Sequence, residues 1–321
     1  MSEFLTIGEP VVTFMSTDAD ASLVDTINYF KLLGGAELNV AIGVQRLGHA
    51  TQYASRLGVD PLGGYAKKVI AEHGVGTNYV SEDETFWTGF QLKQQVTNGD
   101  PATFNYRRGS AASHLSSNVI DQIDLTDVKI AHMSGIFPAL SETTNEAFQH
   151  LLDRLVAAEK LITFDPNLRP ALWGDDAKMI KNINHFAQYA DIVLPGIGEG
   201  KILMGSEDPK EIADFYLQGD RTQVVIVKLG PDGAYVQTKL GESYTVRGFK
   251  VDHVVDTVGA GDGFALGVIT ALLENKSMQA AVLRGNAVGA MQVQTPGDND
   301  GYPTPAELNA FYEKEGVSEA E

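Results

Sequence analysis

The sequence predicts an α/β fold in which a mostly parallel sheet is covered by helices on both faces, with a small β-sheet lid. Two observations lead to this prediction. Apolar strand-like runs alternate with segments of helical periodicity, which implies βαβ units. One stretch, 88–107, alternates with period two around the turn-rich segment 98–101, which predicts an antiparallel hairpin instead. Such an insertion is a surface flap, a dimer edge or a lid over the site, and we favour the lid. No linker, low-complexity segment or internal repeat divides the chain, which favours one domain over residues 1–321.

The elements follow in order from their apolar spacing. Short apolar runs predict strands over 5–14, 51–55, 130–133, 161–164, 192–194, 224–227 and 251–255. Apolar residues spaced three and four apart predict helices over 38–47, 62–72, 142–158, 177–189 and 264–273. In such a fold, functional residues belong at the carboxyl ends of the parallel strands.

Composition excludes several classes of function. The net charge of −18 argues against nucleic acid or an anionic membrane surface as a partner, so an anionic substrate would need locally placed Arg or Lys. The absence of Cys excludes disulfides, a thiolate nucleophile and Cys-based metal sites. No signal-like N-terminus and no apolar run long enough to span a bilayer is present, which predicts a cytoplasmic protein.

The segment 256–264, Asp-Thr-Val-Gly-Ala-Gly-Asp-Gly-Phe, joins the last predicted strand to a helix. Gly259, Ala260 and Gly261 carry almost no side chain, so their N–H groups can form an anion cradle at the helix start. Asp262 at its lip would repel a bound phosphate, which suggests that it accepts a proton from an attacking hydroxyl. The competing structural interpretation is helix capping, because Asp often caps helices and Gly-rich turns often precede them.

This segment resembles the C-terminal signature of the ribokinase-like (PfkB) carbohydrate kinases. In that family the second Asp is the catalytic base and the Gly-Ala-Gly amides hold the transferred phosphate, roles that the resemblance gives to Asp262 and to 259–261. A second segment, 34–41, resembles the N-terminal signature that faces the sugar. Its residues Gly34, Gly35 and Asn39 are then on the substrate side, although alone they also fit a tight loop with a helix cap. The resemblance also implies ATP and Mg²⁺.

Further segments look most like 2-keto-3-deoxygluconate kinases within this family: 8–12, 106–111, 133–141, 167–169 and 297–298. There, two Arg residues hold the sugar-acid carboxylate, and they correspond to Arg107 and Arg169. A guanidinium fork suits a carboxylate, although surface Arg residues usually only solvate. The resemblance also places Ile136 and Asp298 on the substrate side. The chain departs from the subfamily at Gln91 and Asn105, where those kinases have Tyr.

The nucleotide and metal sites are implied by the same resemblance. Residues 227–233 look like the strand and turn leading to the ATP site, and they also form an ordinary β-turn sequence. The implied ATP-binding residues are Lys228, Gly230, Gly233, Gly259, Gly261 and Asn286. Glu199 matches the family's Asn-x-x-Glu element, which organises Mg²⁺ through water, whereas Gly196 replaces its Asn. Magnesium is held largely by phosphates and waters, so one carboxylate can suffice.

These features predict an ATP- and Mg²⁺-dependent kinase that phosphorylates a primary hydroxyl of a 2-keto-3-deoxy sugar acid. The alternatives are fructokinase or another PfkB sugar kinase, and, from a different class, a catalytically silent sugar-binding regulator. The lid is expected from about 10–16 and 86–108, closing over the site to exclude water. Resemblance further implies a homodimer or higher homo-oligomer through this lid.

Overall fold

The structure is a computed structural model that describes residues 2–97 and 101–319. The turn predicted at 98–101 therefore falls almost wholly outside the described residues. The strands are β1 (Phe4–Ile7), β2 (Val11–Ser16), β3 (Tyr29–Gly34), β4 (Thr51–Gly58), β5 (Gly76–Asp83), β6 (Phe90–Lys93), β7 (Thr103–Tyr106), β8 (Ile130–Ser134), β9 (Leu161–Asp165), β10 (Ile192–Val193), β11 (Val224–Lys228), β12 (Ala234–Thr238) and β13 (Ser243–Val246). The helices are α1 (Ala36–Arg46), α2 (Pro61–Glu72), α3 (Ser117–Ile120), α4 (Glu142–Ala157), α5 (Pro170–Trp173), α6 (Asp176–Ala187), α7 (Ile197–Met204), α8 (Pro209–Tyr216), α9 (Ala260–Leu273), α10 (Met278–Gln292) and α11 (Pro305–Glu315).

A nine-stranded sheet in the order β13-β12-β11-β10-β9-β8-β1-β4-β5 forms the body of the protein. The pairs from β11 to β5 are parallel, and β12 and β13 add an antiparallel edge. The predicted α/β class and mostly parallel sheet are confirmed. Because parallel strands share one direction, the carboxyl ends of β8, β9 and β11 meet at one edge, where ligands bind in such sheets.

Two apolar clusters cover the two faces of this sheet, as alternation along β1 shows. Phe4 packs in the cluster that contains α1, α9 and α10, whereas Leu5 and Ile7 pack in the cluster that contains α4 and α6. Successive side chains of a strand point to opposite faces, so each face receives its own layer of helices. Within residues 2–97 and 101–319, no helix combines the length and hydropathy needed to span a membrane.

A separate four-stranded sheet, here called the small sheet, has the order β3-β2-β6-β7. The predicted hairpin is confirmed, because β6 and β7 pair antiparallel with Gln91 opposite Asn105. The prediction of one strand over 5–14 is wrong: the chain leaves the large sheet after Ile7 and enters the small sheet at Val11. Pro10 in that connection lacks an N–H to donate to a ladder, which explains the break. The strand β3 had no predicted counterpart.

The predicted strand over 251–255 is also wrong, since this segment forms no ladder. Val254 and Val255 are 52% and 47% exposed, although β-branched residues favour strands. β-propensity is realised only against a neighbouring strand, and none lies there. The helix α9 is therefore entered from an irregular loop rather than from a strand.

The start of the hairpin segment is anchored to the body of the protein. One oxygen of Asp60 accepts hydrogen bonds from Leu62 and Gly63 and so caps α2, as Asp at an N-cap position does. The other oxygen accepts the backbone N–H of Thr88 at 2.8 Å. The Thr88 hydroxyl in turn accepts the N–H of Gly58 at 3.0 Å. Thr88 is consequently buried and joined to both β4 and α2.

Candidate active site

A cleft of about 1070 Å³ lies between the carboxyl edge of the large sheet and the small sheet. Its volume is at the upper end of the range for small-molecule sites. Charged and polar side chains from many separate elements converge on it. The lining residues are Val11, Gly35, Ala36, Asn39, Gln91, Lys93, Thr103, Asn105, Arg107, Arg108, Ile136, Asp165, Asn167, Arg169, Pro170, Ala171, Leu172, Gly196, Gly198, Glu199, Lys228, Thr257, Val258, Gly259, Gly261, Asp262 and Asp298.

The first turn of α9 opens onto this cleft through Gly259, Gly261 and Asp262, whereas the Ala260 N–H donates to the Thr257 carbonyl at 3.4 Å. Gly259 at the N-cap has φ 78°, a left-handed conformation that glycine adopts without strain. A Cβ at this position would also lie 1.9 Å from the carbonyl oxygen of Asp298, so only glycine fits. With Ala260 and Gly261 following, backbone donors and the helix dipole are presented without side-chain obstruction. This turn is suited to bind a phosphate.

Asp262 lies at the lip of that turn and is held by an amide from another helix. Asn39 Nδ2 on α1 donates to Asp262 Oδ2 at 2.9 Å, and Asn167 Nδ2 lies 3.5 Å from the other oxygen. The helices α1 and α9 approach closely because Gly43 has no side chain: a Cβ there would lie 2.1 Å from a methyl group of Leu266. One turn earlier on each helix, this approach brings Asn39 within reach of Asp262.

Burial raises the pKa of Asp262 to about 7, with the negative charges of Asp165 and Glu37 adding to the effect. The hydrogen bond from Asn39 and the charge of Arg169 oppose the rise, since they stabilise the ionised form. A carboxyl group that titrates near neutrality can take a proton and later release it. The arrangement thus fits a general base and argues against mere helix capping, because the Asp262 carboxylate accepts no backbone N–H among the described hydrogen bonds.

The opposite wall carries a buried ion pair at the ends of two strands. Lys228 Nζ, at the end of β11, donates to Asp165 Oδ2, at the end of β9, at 2.6 Å. Burial alone would lower the pKa of Lys228, but Asp165 and Glu199 hold it above its usual value. Lys228 therefore remains a cation beside the cradle. Sequence analysis selected Lys228 but gave Asp165 no role of its own.

Glu199 at the start of α7 is bound on both oxygens by backbone amides. Leu168 N–H donates to Oε1 at 3.0 Å and Gly196 N–H to Oε2 at 2.8 Å. Burial raises its pKa, against the opposing charge of Lys228. Residues 2–97 and 101–319 contain no cluster of three acidic or His side chains that could chelate a metal. These residues fit Mg²⁺ only as a phosphate-bound, hydrated ion that Glu199 meets through water.

The small sheet forms the third wall with polar side chains from β6 and β7. Gln91 Nε2 donates to Thr13 on β2 at 2.8 Å, and Asn105 lies opposite Gln91 with its side chain exposed. Arg107 Nε donates to the buried carboxylate of Glu9 at 2.6 Å. Within the described residues this is the only protein hydrogen bond of the Arg107 side chain, which leaves its terminal amino groups for a ligand. Arg169 lines the cleft with one amino group bound to its neighbour's carbonyl, Leu168.

The other residues selected from the sequence lie partly in the wall of the cleft and partly around it. Ile136, Gly35 and Asp298 line it, and Gly34 packs directly on the Asp298 carboxylate. Gly230 and Gly233 form the turn after β11, outside the lining. The resemblance placed Asn286 at the nucleotide, but its amide donates to the carbonyls of residues 246 and 247, both at 3.1 Å. Asn286 thus ties α10 to the end of β13 outside the lining of the cleft, and its role at the nucleotide stays a prediction.

Two lining residues have prominent contacts that sequence reasoning missed. Lys93 extends from β6 toward Asp256 and Asp298, and Asn167 approaches Asp262. The signal for Lys93 was present: it follows Gln91 by two residues on the same strand, so both share a face. Asn167 has φ 40°, a left-handed conformation that Asn tolerates better than most residues.

A turn suited to bind a phosphate, a buried carboxyl group suited to act as a general base and a buried lysine at the carboxyl edge of a parallel sheet fit the class of phosphoryl-transfer enzymes. The family description "pfkB family carbohydrate kinase" matches residues 1–305, and the chain belongs to this family. It is therefore a carbohydrate kinase, a phosphotransferase of an ATP-binding family that acts on a sugar hydroxyl.

Individual relatives and solved structures agree with this assignment. The 2-dehydro-3-deoxygluconokinase of Bacillus subtilis (strain 168) is 43% identical over 96% of this chain and 94% of its own length. The crystal structure of a PfkB protein from Polaromonas sp. JS666 is 42% identical, with a TM-score of 0.88 over 97% of this chain and 100% of that one. A proposed ribokinase II from E. coli, in complex with ATP and Mg²⁺, is 25% identical, with a TM-score of 0.88 over 98% and 100% of the two chains. The ribokinase-like fold predicted from the sequence is confirmed.

Proposed function

We propose that this kinase transfers the γ-phosphoryl group of ATP to the primary hydroxyl of a 2-keto-3-deoxy sugar acid. The observation that carries the proposal is the pair Arg107 and Arg169, which line one cleft with Asp262 in a chain of net charge −18. A carboxylate at one end of the acceptor would be held by the guanidinium groups. The 43% identical relative is named for 2-dehydro-3-deoxygluconate, a compound of this class.

The residues support an in-line transfer in which Asp262 accepts the proton that the hydroxyl loses. The acceptor hydroxyl oxygen forms a bond to the γ-phosphorus, the bond from that phosphorus to the ADP oxygen breaks, and Asp262 takes the hydroxyl proton. The amides of 259–261 stabilise charge on the phosphoryl oxygens, and Lys228 supplies a fixed cation beside them. The small sheet, acting as the lid, would exclude water and so suppress hydrolysis of ATP.

Mg²⁺ is included in the proposal as a partner of the phosphates. When bound, it neutralises charge on the phosphate oxygens of ATP. Glu199 would order its water ligands, and its two backbone hydrogen bonds hold the carboxylate in one orientation. The replacement of the family's Asn by Gly196 leaves this orientation intact, because the Gly196 N–H itself supplies one of those bonds.

A coupled ADP-release assay tests the acceptor. Equal concentrations of 2-keto-3-deoxygluconate, 2-keto-3-deoxygalactonate, fructose, ribose and adenosine are compared with Mg-ATP present. We expect the two sugar acids to give the highest kcat/KM. Preference for fructose would overturn the proposed acceptor and show that Gln91 and Asn105 redefine the pocket. No turnover of any compound would favour a sugar-binding regulator.

We also infer that copies of the chain associate through the small sheet. All four residues of β7 are exposed, including Phe104 and Tyr106 at 58% and 43%. An exposed strand at a sheet edge favours pairing with another strand. Light scattering checks the inference, since a monomeric mass would contradict it.

The cytoplasm is the compartment proposed for this reaction. A kinase that consumes ATP needs a nucleotide pool, which the cytoplasm supplies. Fractionation followed by immunoblotting checks this location.

A further inference from the structure

The lysine at the end of β6 has no role in the proposed chemistry, yet it is one of the most buried cations of the molecule. The Lys93 side chain is 5% exposed. Its Nζ donates to Asp256 Oδ2 at 3.1 Å and lies 3.8 Å from Asp298 Oδ1. Lys93 belongs to the small sheet, whereas both carboxylates belong to the body of the protein, so the contact joins the two parts.

Both carboxylates shape the phosphate cradle. Asp256 Oδ1 accepts the N–H of Val258 at 3.0 Å, which fixes the loop that enters α9. The backbone carbonyl of Asp298 packs against Gly259 at the N-cap, and its side chain packs against Gly34 at the end of β3. Movement of either aspartate would therefore shift the amides that are suited to bind the transferred phosphate.

Lys93 supplies the positive charge between two carboxylates that repel each other. Asp256 and Asp298 repel each other, and Asp300 adds a third negative charge near Asp298. Within residues 2–97 and 101–319, Lys93 is the only ion-pair partner of either Asp256 or Asp298. Without this cation, two partly buried carboxylates would stand unpaired beside the site for an anionic phosphate, where they would repel each other and the phosphate.

We propose that Lys93 is a positioning residue that couples the small sheet to the phosphate cradle. It holds Asp256 and Asp298 in place only while the small sheet lies over the cleft. The cradle then has its phosphate-binding geometry chiefly when the acceptor is covered. This inference rests on the proposed roles of the cradle and of Asp262, and it is independent of which acceptor is used.

The test is a double-mutant cycle between Lys93→Met and Asp256→Asn, with Lys93→Arg as the conservative variant. The matched control is Lys31→Met: Lys31 is an exposed lysine of the same small sheet, on β3, stacked 4.3 Å over the ring of Tyr65 outside the cleft lining. The assays are kcat and KM with the acceptor that the wild type prefers, and ADP release without acceptor. Circular dichroism and Tm report folding.

We expect Lys93→Met to lower kcat/KM on the order of 100-fold, as small misplacements of reacting groups do. The ratio of acceptor-independent ADP release to sugar phosphorylation should rise, which a purely structural role would not produce. Lys93→Arg should recover most of the loss. Asp256→Asn should add little in the Lys93→Met background, because paired residues are not additive. Lys31→Met should stay within about twofold of wild type, as expected for surface changes.

Three outcomes would overturn the proposal: Lys93→Met within about twofold of wild type, losses that multiply across the cycle, or an unchanged ratio of hydrolysis to transfer. If Lys93→Met does not fold, Asp256→Asn decides, and an unchanged ratio in that variant counts against coupling. A wild type that prefers fructose would refute the proposed acceptor while leaving the cycle measurable. If the wild type phosphorylates no acceptor and Lys93→Met binds ATP with unchanged affinity, both proposals are overturned.

Discussion

The two ends of the cleft are built in different ways. At the cradle end, Asp262 is 9% exposed and lies on a helix packed closely against α1, so its position is fixed by many contacts. At the small-sheet end, Gln91 and Asn105 lie on short strands, and every residue of β7 is exposed. The comparison leads us to expect that substitutions at the cradle end impair the transfer itself, whereas Gln91 and Asn105 can change with little effect on the fold.

The largest effect expected from this comparison is at the base. Asp262→Asn keeps the shape of the side chain but cannot take a proton, so kcat should fall by about 10²–10⁴-fold while KM for ATP changes little. The coupled ADP-release assay measures both constants. Asp124→Asn, an exposed carboxylate away from the cleft, is the control. Equal ATP consumption by wild type and Asp262→Asn would show that Asp262 is not the base.

The arginine pair should give a smaller and selective effect. Arg107→Ala and Arg169→Ala each remove a charge-assisted hydrogen bond donor, which is worth about 1.5–3 kcal/mol, or roughly 10–100-fold in kcat/KM. The loss should appear with a keto-acid and be absent with neutral fructose. Arg46→Ala, with a long surface ion pair of 3.9 Å, serves as the control. Equal losses on both acceptors would contradict a carboxylate clamp.

The pH dependence should follow the pKa of Asp262, which burial raises to about 7. The base acts when deprotonated, so kcat/KM should fall about tenfold per pH unit below that value and level off above it. Asn39→Ala removes a hydrogen bond that stabilises the ionised form, and the acid limb should therefore move to higher pH. Profiles of kcat/KM from about pH 5 to about pH 9 measure both. If the acid limb of the Asn39→Ala profile lies at the same pH as in the wild type, Asn39 does not set the pKa of Asp262.

The smallest effect is expected at the lid positions where the chain departs from its subfamily. Gln91→Tyr replaces an amide bound to Thr13 by a phenol that reaches the same cleft. The ratio of kcat/KM between sugar acid and fructose should change by less than about tenfold, since such contacts discriminate weakly. Leu92→Tyr on the opposite face of the strand is the control. A change above about 100-fold would move the main determinant of specificity from the arginines to this strand.

The sequence was most informative where function depends on residues that are close together along the chain. The cradle and Asp262 lie within one segment, so residue types together with the family resemblance of that segment were enough to predict their chemistry, whereas residue types alone also fitted helix capping. The Lys93–Asp256 contact joins residues 163 positions apart and depends on how the small sheet sits on the large one. No local pattern contains that information, because a register shift of one residue would turn Lys93 to the other face.

The two wrong strands have separate physical causes. The break at Pro10 could have been predicted, because proline is excluded from central strands. The run 251–255 could not, since its β-branched composition is typical of a strand and only the missing partner keeps it irregular. The role implied for Asn286 depended on resemblance alone, whereas its hydrogen bonds to residues 246 and 247 required the fold.

The anchoring of Thr88 by Asp60 and Gly58 has a dynamic consequence. If the small sheet moves to admit substrate, its motion must begin beyond Thr88, because the backbone there is bound to β4 and α2. Thr88 would act as a fixed pivot, and β6 and β7 as the lever. Amide hydrogen exchange should then be slow at the N–H groups of Gly58 and Thr88, which these hydrogen bonds protect. Asp60→Ala should release the pivot and let exchange spread into the start of α2.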